Sequence, residues 1–208
     1  MGRVLVIGSA AMSAKINVCN FALNLLGATS ITSLEDDSPE AKALKNFYYI
    51  ARDSVLESAE WTFATRRFKP AKSTSDPEWG WGSAFPIPSD ILRVTRVDRT
   101  DYVGLGTGMN RHPADHEVEG RQILCNEDVI YCKGIRRIED EGIYSPMFDE
   151  AFGYKLAVLS CLILTESNTK MQTMAGLYVD AIAKAKSRDG MQSTTRRMRN
   201  QTLSRARY

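Results

Sequence analysis

One segment limits the architecture of this chain more than any other. From Ser145-Pro146 the sequence runs through Phe148, Phe152, Leu156, Leu159, Leu162 and Ile163 to about Thr165, apolar on most faces of a helix. A helix that is apolar nearly all round has to be enclosed by other elements. Ser145 serves as N-cap, and Pro146 takes the first helical position, where its missing N–H costs nothing. Asp149 and Glu150 follow in the first turn, where acidic groups complement the helix dipole. The longest apolar run, Leu156 to Leu164, is interrupted by Ser160 and Cys161 and falls far short of the roughly 20 residues a membrane span needs. The enclosure must therefore be protein, and no membrane span is expected.

Three other helical periods can supply it. The first begins at about Ser13 and continues through Ile16, Cys19, Asn20, Leu23 and Leu26 until Gly27 stops it. The second repeats the serine-proline device at Ser38-Pro39. Its stripe of Leu44, Phe47, Tyr48, Ala51, Val55 and Ala59 leaves Lys42, Lys45, Arg52, Asp53 and Glu57 elsewhere. The last, from about Thr169, sets Met171, Met174, Tyr178, Ala181 and Ala185 on one stripe, with Leu177 and Ile182 beside it.

Between Thr65 and about Ile143 the period changes. Ile91 to Val97 alternates as a strand, and Arg121–Cys125 with Val129–Lys133 reads as a hairpin around Asn126-Glu127-Asp128. The connection from Asp98 to Val118 contains Gly104-Leu105-Gly106-Thr107-Gly108, suited to a surface loop. The expected fold class is α+β: a helical bundle formed by N- and C-terminal helices with a small antiparallel β insertion and an extended C-terminal arm. The corresponding segments are 1–12, an N-terminal extension with the short run Val4-Leu5-Val6-Ile7; 13–66 and 145–187, the discontinuous bundle; 67–144, the β insertion; and 188–208, the basic arm.

Charge is divided along the chain. The formal total is +2. Residues 188–208 hold Arg188, Arg196, Arg197, Arg199, Arg205 and Arg207 against the single acid Asp189, so the arm is strongly cationic and the body slightly acidic. Met191, Met198, Leu203 and Tyr208 are too few to build a core there. Ordering 21 residues costs on the order of 20–40 kcal/mol, so a neighbour is needed to hold the arm.

Catalytic signatures are sparse. The sequence contains no GxSxG elbow, P-loop or HExxH. His112 and His116 are four apart, but Pro113 lies between them, and loop histidines are the simpler reading. Asp36-Asp37 and Glu139-Asp140-Glu141 read as polar punctuation between elements. Cys19, Cys125, Cys132 and Cys161 form no CxxC pair and are expected as free thiols of a reducing compartment. No cofactor, metal site or enzymatic activity is expected. Trp79 and Trp81, on a loop punctuated by Gly80 and Gly82, are candidates for a partner interface, because exposed tryptophan is typical of interface hot spots. Trp61 and Phe63 read as core, with Arg66, Arg67 and Lys69 nearby.

Several phrases converge on one family. Asn17-Val18-Cys19-Asn20 to Leu25-Leu26-Gly27-Ala28, Trp61-Thr62-Phe63-Ala64, Phe85-Pro86-Ile87-Pro88-Ser89-Asp90-Ile91-Leu92-Arg93-Val94 and Met147-Phe148-Asp149-Glu150-Ala151-Phe152 occur in that order. The chain resembles, over about Met12 to Ser187, the tail tubular protein A family, the head-to-tail adaptor of short-tailed phages. The resemblance implies a dodecameric ring beneath the portal protein that continues the DNA channel into the tail nozzle. It also implies a place in the virion tail at the portal vertex, reached after synthesis in the host cytoplasm. Genomic DNA would pass through the ring during ejection, and the C-terminal arm would reach up to the portal.

On that reading the portal-binding candidates are Arg188, Arg196, Arg197, Arg199, Leu203, Arg205, Arg207 and Tyr208. The β region and its glycine loop are candidates for contact with the nozzle or tail fibres. Two alternatives stay open at this point: a glycan hydrolase of the tail, and a DNA-binding module using the arginine-rich arm.

Overall fold

The computed structural model describes residues 7–99 and 113–192, with side chains from residue 14 of the first helix onward. The architecture is mixed α+β. Among the described residues, four helices, α1 (Ile7–Leu26), α2 (Pro39–Glu57), α3 (Pro146–Thr165) and α4 (Asn168–Gln192), flank six strands. The strands are β1 (Thr65–Phe68), β2 (Ser83–Pro86), β3 (Ile91–Asp98), β4 (His116–Glu119), β5 (Gln122–Cys125) and β6 (Tyr131–Arg136), followed by a 3-10 turn at Glu141–Ile143.

The two serine-proline devices work as the sequence predicts. Ser38 Oγ accepts from the Ala41 amide and Ser145 Oγ from the Phe148 amide, each with proline at the start of its helix. α3 packs against α1, α2 and α4. Phe148, Phe152, Leu156, Ala157 and Cys161 are fully buried there, in one core with Leu23, Leu44, Tyr48, Val55 and Trp61. The enclosure stops short of the last turn of α3, where Leu162 and Ile163 are exposed.

α1 starts at Ile7 rather than at Ser13. Gly8-Ser9-Ala10-Ala11 contains no proline, and its two alanines favour the helix, so Ser13 lies inside it. Arg52, placed by periodicity among the polar residues of α2, is buried beside Asp53, with its Nε 2.9 Å from Asp53 Oδ1.

The strands form two antiparallel three-stranded sheets, β1-β6-β3 and β2-β5-β4. The expected hairpin around Asn126-Glu127-Asp128 is therefore wrong: β5 and β6 belong to different sheets. Ile130, fully buried between them, belongs with Phe85, Val97, Ile123, Cys125 and Cys132 to a second core between the sheets, which is why the chain crosses instead of folding back. The real hairpin is β4–β5, turned by Gly120 and Arg121, both at positive φ, the combination a two-residue type I′ loop needs. β3 carries irregularities around Leu92 and Thr95, so its alternation is imperfect.

α4 runs on to Gln192, so the arm expected from residue 188 is helical over its first five residues. The rest of it, including Arg196, Arg197, Arg199, Leu203, Arg205, Arg207 and Tyr208, lies outside the described residues, as do Val4 to Val6, Gly104 to Gly108 and His112.

Candidate functional site

The strongest candidate site is the root of the basic segment, where α4 meets the end of α2. The buried stripe of α4 comprises Met174, Ala181, Ile182, Ala185 and, one turn further, Asp189. The Asp189 carboxylate accepts from the Thr62 amide at 2.9 Å and from the Thr62 hydroxyl at 2.8 Å. The only acid among residues 188–208 is thus an anchor, and the helix is tied down near the point where the arginine-rich sequence follows. Arg188, beside it, is exposed.

Thr62 is held between two aromatic residues that are themselves fixed. Trp61 is fully buried, donates from Nε1 to the Val55 carbonyl at 2.9 Å and meets the Phe148 ring edge-on at 5.1 Å. Phe63 packs on Phe148 at 5.1 Å and on Tyr144 at 5.7 Å. The Trp61-Thr62-Phe63 phrase therefore joins α2, the start of α3 and the end of α4. Its aromatic members were legible as core. The role of Thr62 was not, because its partner lies 127 residues away.

A second polar cluster lies where α1, α2, the 3-10 turn and α3 meet. Glu141 is buried and accepts from the Tyr48 hydroxyl at 3.0 Å, so one member of the Glu139-Asp140-Glu141 run is structural and not a solvated charge. Asp140 caps the turn by accepting from the Gly142 amide. Burial, with Glu141 nearby, pushes the Asp149 carboxyl up to about 6. In the first turn of α3, desolvation thus outweighs the favourable dipole that the sequence position suggests. Burial also raises the Tyr48 and Tyr144 hydroxyls and lifts the Cys19 thiol to about 12.

An open cavity of about 440 Å³ lies beside this cluster, with Asp90, Arg136, Arg137, Glu139 and Asp140 among its walls. Arg137 Nε pairs with Asp53 Oδ2 at 2.9 Å, and Asp90 pairs with Arg66. The wall mixes acids and bases and contains no histidine or cysteine.

Trp79 is 86% exposed. Trp81 is half-buried against the second core, and its Nε1 donates to Glu117 Oε2 at 3.2 Å, so it supports the loop from beneath. His116 stands on β4 with Nδ1 2.8 Å from the Ala114 carbonyl. Among the described residues no three histidines, cysteines or carboxylates cluster as a metal site requires. All four cysteines are free and buried. Asp36 accepts from the Thr32 and Ser33 amides, which hold its carboxyl below the usual range and make it part of a turn. No described helix is long and apolar enough to cross a membrane. No protein-family model matches the chain, and no curated protein matches it.

Proposed function

We propose that this chain is a structural head-to-tail adaptor of a tailed phage, forming a ring between portal and tail nozzle through which DNA passes. The observation that carries the reading is the Asp189–Thr62 anchorage. A segment with five arginines and no acid, residues 193–208, follows directly from a helix end clasped to the body. Arginine pairs bidentately with carboxylates, so such a segment suits an acidic groove on a neighbouring protein. The resemblance to the tail tubular protein A family, carried by phrases that include Trp61-Thr62-Phe63-Ala64, supplies the identity of that neighbour as the portal.

A ring of this kind needs two different, complementary faces on each protomer. The exposed Trp79 and the β2-β5-β4 sheet are offered as a surface for the nozzle or fibres. The test is electron microscopy of the purified protein with and without portal. Rings that form on the portal, and are lost when residues 193–208 are deleted, support the reading. Stoichiometric portal-bound rings formed without that segment overturn the arm's role, and failure of the full chain to join the portal overturns the adaptor itself.

A further inference from the structure

A row of cations crosses the β1-β6-β3 sheet. Arg67 on β1 stands opposite Lys133 on β6, and Lys133 stands opposite Arg96 on β3. One step along the same face, exposed Arg93 is in register with Ile135, which is fully buried in the helical core, so the open part of the face ends there. One step the other way, Lys69 lies over the Tyr131 ring, its Nζ 5.3 Å from the centroid. The alternate residues Phe68, Cys132 and Val97 belong to the core between the sheets, so the cations occupy the opposite face. Like charges directly opposed across strands are destabilising. Only part of that repulsion is offset locally: Lys133 pairs with Glu60 at 2.7 Å and Arg96 with Asp98 at 2.6 Å, whereas no carboxylate pairs with Arg67 or Arg93 among the described residues.

We propose that this face binds the phosphate backbone of double-stranded nucleic acid without reading its sequence. Strands lie about 4.8 Å apart and alternate residues about 6.7 Å apart, so the five cations form a shallow grid about 10 Å wide. A grid of point charges with one aromatic ring and no apolar pocket fits a regular polyanion. A protein partner would need buried anchors at the centre of its contact. The body is slightly acidic overall, so the patch is a local concentration of positive charge, not the average of the surface. This inference concerns residues distinct from the arginine-rich segment and does not depend on the adaptor reading.

The experiment removes the competing arginines first. In the full-length chain, Arg196, Arg197, Arg199, Arg205 and Arg207 are replaced by Gln, and binding to a labelled duplex of arbitrary sequence is followed by fluorescence anisotropy. Three phosphate contacts predict affinity roughly 40-fold weaker at about 200 mM than at about 50 mM salt. In that background the triple change Arg67→Gln, Lys69→Gln, Arg93→Gln leaves both built ion pairs intact. It is expected to weaken binding more than tenfold and to flatten the salt dependence. A charge-matched control, Lys42→Gln, Lys184→Gln, Lys186→Gln, alters exposed lysines on α2 and α4 and is expected to change affinity less than twofold. Equal losses in the two triples, or no binding by the tail-neutralised chain, overturn the proposal. So does tighter binding to polyglutamate than to the duplex, which would assign the face to an acidic protein.

Discussion

The Tyr48 hydroxyl donates to Glu141 Oε1 at 3.0 Å, joining the middle of α2 to the 3-10 turn that precedes α3. The bond satisfies a buried acid that forms no ion pair among the described residues, and removing it is expected to be felt globally. Tyr48→Phe keeps the ring and its edge-on packing at 5.1 Å against Phe152 but strips the donor. The expected loss is about 1–3 kcal/mol, read as a lower urea midpoint with an unchanged slope. Glu141→Gln in the same background should recover part of it, because a neutral amide is cheaper to bury.

Asp149 predicts a pH dependence of defined sign. Its carboxyl is raised from 3.8 to about 6 by burial and then by Glu141, so between these values the folded chain holds a proton that the unfolded chain releases. The stabilisation is fully present below about pH 4 and is lost as pH rises through about 6. Asp149→Asn should flatten that limb of a stability profile measured by thermal unfolding. A profile unaltered by the substitution would mean the proton sits elsewhere.

Gly134→Ala tests the centre of the cationic sheet. An added Cβ would lie 2.8 Å from the Arg93 carbonyl and 3.0 Å from the Ile91 side chain, and a backbone oxygen in a paired strand cannot swing away. A loss of about 1–3 kcal/mol is expected, the usual cost of overpacking. Because Arg93 would be displaced with its strand, duplex binding should fall as well.

Asp189→Asn is expected to act locally. Thr62 is exposed and α4 is otherwise held by Met174, Ala181, Ile182 and Ala185, so stability should drop by only about 1–2 kcal/mol. Amide hydrogen exchange should speed up selectively over the final turns of α4. Uniform acceleration along all four helices would show that the clasp holds the whole core.

Trp79→Ala should change stability by less than about 0.5 kcal/mol, since the ring is almost entirely in solvent. Trp61→Ala, which empties a fully buried site, should cost about 3–5 kcal/mol. The contrast in melting temperature separates a residue kept for contact from one kept for packing.

The helices were legible because their information is local. Ser38-Pro39 and Ser145-Pro146 mark their own starts, and the stripe through Leu44, Tyr48, Ala51 and Val55 declares which side is buried. The sheets were legible only in outline. Arg121–Cys125 looks like one arm of a hairpin with Val129–Lys133, and only the long-range pairing of β6 with β1 and β3 assigns the second arm elsewhere. β4, His-Glu-Val-Glu with all four residues exposed, carries no apolar alternation by which a sequence could announce it. The site divides the same way. Clustered arginines can be counted in a sequence, whereas the Asp189–Thr62 clasp and the row from Arg67 to Arg96 exist only once distant segments are brought together.

The covering of α3 bears on how the chain reaches its folded state. α1 and α2 are made early, but α4, the last described helix, closes the remaining side of a segment that is apolar nearly all round. Until it docks, the side of α3 that it covers is open, and such surface drives aggregation in growing or broken chains. A polypeptide that stops before α4 therefore leaves that side uncovered. Only a chain that carries Met174, Ala181, Ile182 and Ala185 can cover that flank, and Asp189 clasps the end of the covering helix just before the arginine-rich segment.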